Sequence, residues 1–206
     1  MQHSLKRIMD ILAAGGGLLV LSPLLVVMAV LVRVRLGRPI FFTQTRIGLG
    51  EKPFNLIKFR TMTDARGPDG QLLGDAARLT PFGRWLRTTS IDELPELWNI
   101  LIGEMSLVGP RPLLPQYVPH YTPREQLRHR MRPGITGLAQ VSGRNAIGWD
   151  ARLELDAQYV ERFSLRGDIR ILWQTLAVVL NRTGISAEGQ ATMHALDVER
   201  MSKGNQ

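Results

Sequence analysis

Two adjacent carboxylates, Asp92 and Glu93, stand in the segment SIDELPELWNILIGEMSLVGPRP, Ser90 to Pro112, of a chain whose formal charge is +8. Acids beside cations suit phosphoryl chemistry. Carboxylate oxygens hold a hard divalent cation, the cation takes phosphate oxygens, and arginines neutralise the remaining charge. A carboxylate can also attack phosphorus itself and form an acyl phosphate. Arg111 is fixed between Pro110 and Pro112, which stiffens the backbone around one guanidinium; Arg84 and Arg87 lie just upstream. A rigid guanidinium fork matches two phosphate oxygens. The competing reading is structural. Ser90 and Glu93 fit a capping box, in which Glu93 only caps backbone and Asp92 favours the positive helix end, where it stays ionised. Pro95 argues against that, because it removes an intrahelical bond from a helix starting at Ser90.

Composition narrows the partner. Lysine and arginine total 26 against 18 acids, which favours an anionic ligand: nucleic acid, anionic lipid or a phosphorylated substrate. Aromatic residues make up only 6% of the chain, which speaks against a base-stacking platform. The absence of cysteine excludes disulfides and thiolate metal sites. Four scattered histidines without a His-x-x-x-His pair speak against a zinc enzyme.

Ahead of the acidic pair, Ile11 to Val32 carries no charge. As a helix it is long enough to reach across bilayer hydrocarbon. Lys6 and Arg7 precede it, but Arg33, Arg35 and Arg38 follow directly with no small-residue cleavage pattern, which argues against a signal peptide. Basic residues on both flanks give no preferred crossing direction. Ser22-Pro23 lies near the middle; the proline bends a helix and the serine hydroxyl can satisfy the carbonyl left free. Both a kinked spanning helix and a re-entrant hairpin fit. Asp10 reads either as a snorkelling acid at the membrane edge or as the partner of Lys6, four residues before it in the same helix.

The remainder reads as mostly α with a small β-hairpin. RPIFFTQTRIG and KPFNLIKFRTM form two short strands around Gly48-Leu49-Gly50, and Asp64 to Arg78 forms a polar loop. Thr80-Pro81 opens a helix, with threonine as N-cap and proline at the first helical position. A second helix runs from Pro95 to about Ile102. Thr122 to Glu125 is a capping-box start for a helix ending at Pro133-Gly134. Trp149 to Phe163 is helical, as is Asp168 to Asn181, whose apolar face (Ile169, Leu172, Trp173, Leu176, Val179, Leu180) belongs either in the core or in a membrane interface. The tail after Gly184 has little pattern and is expected to be partly disordered. The expected division is a membrane element at 1–36, a catalytic domain at 37–182 and a tail at 183–206. From the residues alone the reading ends at a membrane-tethered site for a phosphorylated substrate.

KRIMD at Lys6, the Ser22-Pro23 pair, KFRTM at Lys58, LTPFGRWLRTTSIDELPELWNIL, MSLVGPRP, RPGITGLAQVSGRN and LELDAQYV resemble, in order, the bacterial sugar transferases, the monotopic phosphoglycosyl transferases. The resemblance runs to about Asn181 and is to their small, catalytic-domain-only form. It implies transfer of a sugar-1-phosphate from a UDP-sugar to polyprenyl (undecaprenyl) phosphate with release of UMP, dependent on Mg²⁺. It also implies an N-terminal helix broken at Ser22-Pro23 that re-enters the cytoplasmic leaflet of the bacterial inner membrane, with a compact cytosolic domain and interfacial amphipathic helices behind it. By the same resemblance Asp92 is the nucleophile, Asp92 and Glu93 form the metal-binding catalytic dyad, and Arg111 binds the nucleotide-sugar phosphates. Lys58, Arg60, Arg87, Arg144, Asp156 and Asp168 carry over as substrate-binding candidates; each also has an ordinary reading as a solvated arginine or lysine, a helix-surface acid or an N-cap. Nucleic acid is not an expected partner, and oligomeric state stays open, a homodimer included. Two other functions fit the composition: a basic membrane-anchored lipid- or nucleic-acid-binding module, and a Mg²⁺-dependent membrane phosphatase. Neither the sugar nor the pathway follows from the sequence.

Overall fold

A computed structural model describes residues 2–143, 147–181 and 196–204. The first helix, α1, runs from Gln2 to Leu36 with Pro23 inside it. Helical structure does not break at Ser22-Pro23, contrary to the helix-break-helix expectation. The Ser22 hydroxyl donates to the Leu19 carbonyl at 2.8 Å, the carbonyl that the proline nitrogen would otherwise leave without a partner. This local repair lets helix continue across the proline.

One side of α1 lies on the rest of the protein along its whole length. Lys6, Asp10 and Ala14, then the half-buried Leu18, Leu21 and Leu25, then Met28, Val32 and Leu36 recur every three or four residues. The first half packs on Leu97, Ile100 and Leu101; the second half packs on Phe59, Leu86, Phe82 and Ile91. The opposite side, with Leu12, Leu19, Val20, Val26, Val27, Val30 and Val34, is exposed. Lys6 does not pair with Asp10. It bonds Asp168 at 2.5 Å, while Asp10 accepts from the Ser106 hydroxyl (3.1 Å) and the Leu107 amide (3.0 Å). Both groups are buried, where partners from other elements replace the solvent that an exposed pair four residues apart would share. Arg7 closes the same end by donating to the carbonyls of Ile100 and Leu101.

The expected hairpin is present. Strands β1 (Phe41–Ile47) and β2 (Pro53–Phe59) pair antiparallel, with Phe42 opposite Lys58. A short helix α2 (Asp75–Arg78) lies within the expected loop, and α3 (Pro81–Thr88) follows with Thr80 as its N-cap, bonded at 3.0 Å to the Gly83 amide. A 3₁₀ turn, Ile91–Glu93, leads into α4 (Glu96–Ile102), which ends at Gly103 in the left-handed conformation, φ 95°. Strands β3 (Ser106–Val108) and β4 (Gly134–Thr136) form a parallel pair that sequence periodicity does not reveal. A Cβ on Gly134 would lie 2.1 Å from the Gly109 amide nitrogen, so only glycine permits this approach. Between these strands the chain makes two 3₁₀ segments, Pro115–His120 and Glu125–Arg130. The capping box is reciprocal as expected (Thr122 amide to Glu125, 2.7 Å; Glu125 amide to the Thr122 hydroxyl, 3.3 Å), although it opens a 3₁₀ segment rather than a longer helix.

Helices α5 (Leu138–Ser142), α6 (Trp149–Glu161) and α7 (Leu165–Asn181) complete the body. The apolar face of α7 divides. Ile171 is buried against Val108, Met131 and Tyr159, whereas Ile169, Trp173 and Leu176 are exposed. Val179 and Leu180 lie beyond the described side chains. Part of the tail is ordered: α8 (Leu196–Gly204) buries Leu196 completely against Tyr117, Trp149 and Leu153.

Candidate active site

The acidic pair sits on the 3₁₀ turn between α3 and α4, and no capping box forms there. Ser90 adopts a left-handed backbone, φ 55° and ψ 16°, and its side chain caps nothing. That conformation is strained for a residue with a Cβ, and such strain concentrates at functional sites. It turns the chain sharply enough to present Asp92 and Glu93 toward β2 and the Pro-Arg-Pro segment. The walls of the site are tied together by Asn99 of α4, fully buried. Its carboxamide oxygen accepts from the Ile57 amide (3.1 Å) and its nitrogen donates to the Asn55 carbonyl (2.8 Å), so α4 and β2 hold a fixed register.

That register brings Lys58 to the acids. The Lys58 ammonium lies 2.6 Å from Glu93 Oε1 and 3.1 Å from Glu96 Oε1, and Arg111 Nη2 lies 2.8 Å from the same Glu93 oxygen. Burial alone would raise the Glu93 pKa, but Arg111 and Lys58 outweigh it and hold this carboxyl well below the usual range. Burial also works against the charge on Lys58, and Glu93 and Glu96 reverse that, leaving its pKa raised. Glu93 in turn raises the pKa of Arg111.

Asp92 is treated differently. It is buried, and among the described residues its carboxylate has no hydrogen-bond or ion-pair partner. Burial, with the Glu93 charge adding to it, pushes Asp92 up to about 6, opposed by Lys58, Arg87 and Arg111. The expectation that a helix start keeps it ionised meets a different balance here: the group begins a 3₁₀ turn rather than a full helix, and desolvation raises its pKa. Near pH 7 the group is still mostly ionised, and among the described residues no group bonds its oxygens. An unengaged, desolvated carboxylate flanked by cations has the character of a nucleophile.

The other candidates separate clearly. Arg87 donates to the Thr61 hydroxyl at 3.0 Å and acts electrostatically on Asp92, so it belongs to the site. Gly83 allows this, since a Cβ there would meet the Thr61 carbonyl at 1.7 Å. Arg60 does not join the site; its guanidinium bonds the carbonyls of Arg38 and Met62 and pairs with Asp64. Asp168 serves α1, holding Lys6 and accepting from the Tyr159 hydroxyl at 2.8 Å. Asp156 is fully buried against Arg128 at 2.8 Å. Arg144 lies outside the described residues. Sequence reasoning missed Glu96, a third buried carboxylate one helical turn from Asp92, pushed up to about 7 chiefly by burial. Its position after Pro95, one turn beyond the dyad, was the available signal.

The donor set suits a magnesium ion that also takes substrate oxygens. Among the described residues, no group of three or more His, Cys, Asp or Glu side chains is arranged to hold a metal by itself. Yet Glu93 receives both cations on Oε1, which leaves Oε2 clear of them. Magnesium commonly takes one or two carboxylates and completes its shell with water and phosphate.

Comparison with known proteins places the chain among sugar transferases. The chain is 50% identical over 188 residues to the sugar transferase EpsL of Bacillus subtilis (strain 168), covering 91% of this chain and 93% of that one. It is 38% identical to the UDP-glucose:undecaprenyl-phosphate glucose-1-phosphate transferase of Klebsiella pneumoniae, covering 83% of this chain and 39% of that one. It is 39% identical to the undecaprenyl-phosphate galactose phosphotransferase of Salmonella typhimurium, covering 87% of this chain and 41% of that one. It thus spans nearly all of EpsL and about two fifths of the two larger enzymes. Residues 1–182, which carry the helix, the acidic pair and Pro-Arg-Pro, match one family throughout, and the chain belongs to the bacterial sugar transferases.

Proposed function

We propose that this transferase moves a sugar-1-phosphate from a UDP-sugar to undecaprenyl phosphate, through a covalent intermediate on Asp92. The observation that carries the proposal is the division of labour in the acidic pair: Glu93 is gripped by Lys58 and Arg111, and Asp92 is buried with no bonded partner among the described residues. An Asp92 oxygen attacks the β-phosphorus of the UDP-sugar. The bond from that phosphorus to the bridging oxygen breaks, the electron pair leaves with UMP, and the phosphosugar remains on Asp92 as an acyl phosphate. A phosphate oxygen of undecaprenyl phosphate then attacks the same phosphorus, and Asp92 leaves as carboxylate. The products are UMP and the lipid diphosphate sugar. Asp92 and Glu93 would hold Mg²⁺, which when bound supplies charge neutralisation at the diphosphate. Arg111 has 41% of its side chain exposed, and only Nη2 bonds Glu93, so the rest of its fork can meet phosphate. Arg87 adds its charge near Asp92.

Placement at the cytoplasmic face of the membrane, in one leaflet, is part of the proposal. The support is that both halves of α1 lie on the same body while its far side is apolar and exposed. A helix seated along its full length on a polar domain cannot carry one end through the bilayer without leaving that seat. The exposed Trp98 and Ile102 of α4, and Trp173 of α7, suit a membrane interface.

The test is UMP release by the purified protein across a panel of UDP-sugars, with and without undecaprenyl phosphate. Sustained release with one sugar, dependent on the lipid and matched by a lipid diphosphate sugar, supports the proposal. Sustained release without lipid would instead indicate hydrolysis.

A further inference from the structure

Arg111 owes its position to a backbone in which every carbonyl from Pro110 to Leu113 accepts a hydrogen bond, from β4, from the Glu125–Arg130 segment and from β1. The Pro110 carbonyl accepts from the Gly134 amide at 3.0 Å, and the Leu113 carbonyl from the Ile47 amide at 3.1 Å. The two between them are held by side chains. Arg128 Nη2 donates to the Arg111 carbonyl at 2.6 Å, and Arg46 Nη1 donates to the Pro112 carbonyl at 3.4 Å. Arg128 is aimed by two further bonds: Nη2 to Asp156 at 2.8 Å and Nη1 to the Tyr121 hydroxyl at 2.9 Å. Arg128 and Asp156 are 3% and 1% exposed, so no ligand reaches them as the protein stands. A buried ion pair is a poor source of net stability, because desolvation cancels most of its attraction. What such a pair does well is fix geometry.

We infer that Arg128, oriented by Asp156 and Tyr121, and Arg46 on β1 are positioning residues that hold the Arg111 backbone so that its guanidinium meets the substrate phosphates. This rests on the reading of Arg111 as a phosphate-binding residue. The two prolines limit the φ angles around Arg111, but they do not anchor the segment to the domain; the four hydrogen bonds do, and two of them come from arginine side chains. Its bond to Arg128 gives Asp156 a role other than direct substrate contact: it acts at one remove, through Arg128. Burial first, and the Arg111 charge second, lower the pKa of Arg46, so one like charge lies near Arg111 in this arrangement.

The experiment is a double-mutant cycle on UDP binding, measured by calorimetry with the full-length protein in nanodiscs, beside melting temperatures. Arg128→Lys and Arg46→Met are each made alone and with Arg111→Ala. Each is expected to weaken UDP binding about tenfold in the wild-type background, within the range that residues sharing one network reach. In the Arg111→Ala background the same changes should alter binding less than about twofold, because the group they position is gone. A purely structural role would lower the melting temperature and weaken binding equally in both backgrounds, and that result overturns the inference. Should Arg128→Lys not fold, Arg46→Met decides, since its side chain is only half-buried. If Arg111→Ala itself leaves UDP affinity unchanged, the phosphate-binding reading of Arg111 has failed; if it weakens binding but the second changes add fully, only the clamp has.

Discussion

Glu96→Gln should remove a pH dependence of stability that the wild type carries. Glu96 is 3% exposed and shares the Lys58 ammonium with Glu93. Burial pushes its pKa from 4.5 to about 7; Lys58 opposes this and Glu93 adds to it. The folded protein therefore holds the Glu96 proton more tightly than the unfolded chain does. Between pH 4.5 and about 7 the native state binds more protons, so stability falls as pH rises through that window. At about 1.36 kcal/mol per unit, the shift corresponds to roughly 3 kcal/mol at alkaline pH. Asp92 shifts in the same sense, from 3.8 to about 6, so the total decline of the wild type exceeds the Glu96 share. The difference between wild type and Glu96→Gln isolates Glu96. At pH 5 the two should melt within a degree or two of each other. At pH 8 the variant should melt higher by about 6–12 °C, taking about 2–4 °C per kcal/mol for a domain of this size. Tryptophan-fluorescence melts in one detergent at several pH values measure it. A constant offset across pH would refute the reasoning, because it would mean Glu96 titrates no differently in the folded and unfolded states.

Other outcomes follow from the same geometry. Arg111→Lys should lower kcat/KM for UDP-sugar by about 10- to 100-fold with little change in melting temperature, since an ammonium cannot copy the guanidinium fork; steady-state kinetics check this. In the wild type, kcat/KM should fall about tenfold per pH unit below about 6 as Asp92 takes up a proton, a limb that a pH–rate profile would show directly. Lys6→Met should destabilise by about 3–5 kcal/mol by leaving Asp168 buried without its cation, and Lys6→Met with Asp168→Leu should recover most of that in denaturation. Cysteines placed singly at Ser4 and Gly37 should both react with an impermeant thiol reagent from the cytoplasmic side alone; labelling of Ser4→Cys from the far side would contradict a single-leaflet helix.

Local signals carried well from sequence to structure. The Thr80 cap, the Thr122–Glu125 capping box, the hairpin around Gly48 and the serine that repairs the proline site all depend on residues a few positions apart. The acidic pair and Pro-Arg-Pro were legible because unusual residue types stand together. What stayed hidden depends on distant partners. Lys6 meets Asp168 across 162 positions rather than Asp10 across four. Asp156 finds Arg128, and Glu96 finds Lys58. The parallel pair β3–β4 is three residues per strand, too short for periodicity to register. Ser90 looked like a cap because Ser-x-x-Glu names one; its left-handed backbone is set by the packing of the turn against β2, which local pattern does not encode.

The central claim is that Asp92 carries the phosphosugar. Intact mass spectrometry of the protein mixed with its UDP-sugar and Mg²⁺, with no lipid acceptor, tests it most directly. The wild type should release no more than one equivalent of UMP and gain the mass of one sugar phosphate. Asp92→Asn should bind the nucleotide sugar and gain nothing, because the amide keeps the shape and loses the nucleophile. An adduct that persists in Asp92→Asn, or no adduct and no UMP in the wild type until lipid is added, would contradict a covalent route through this residue.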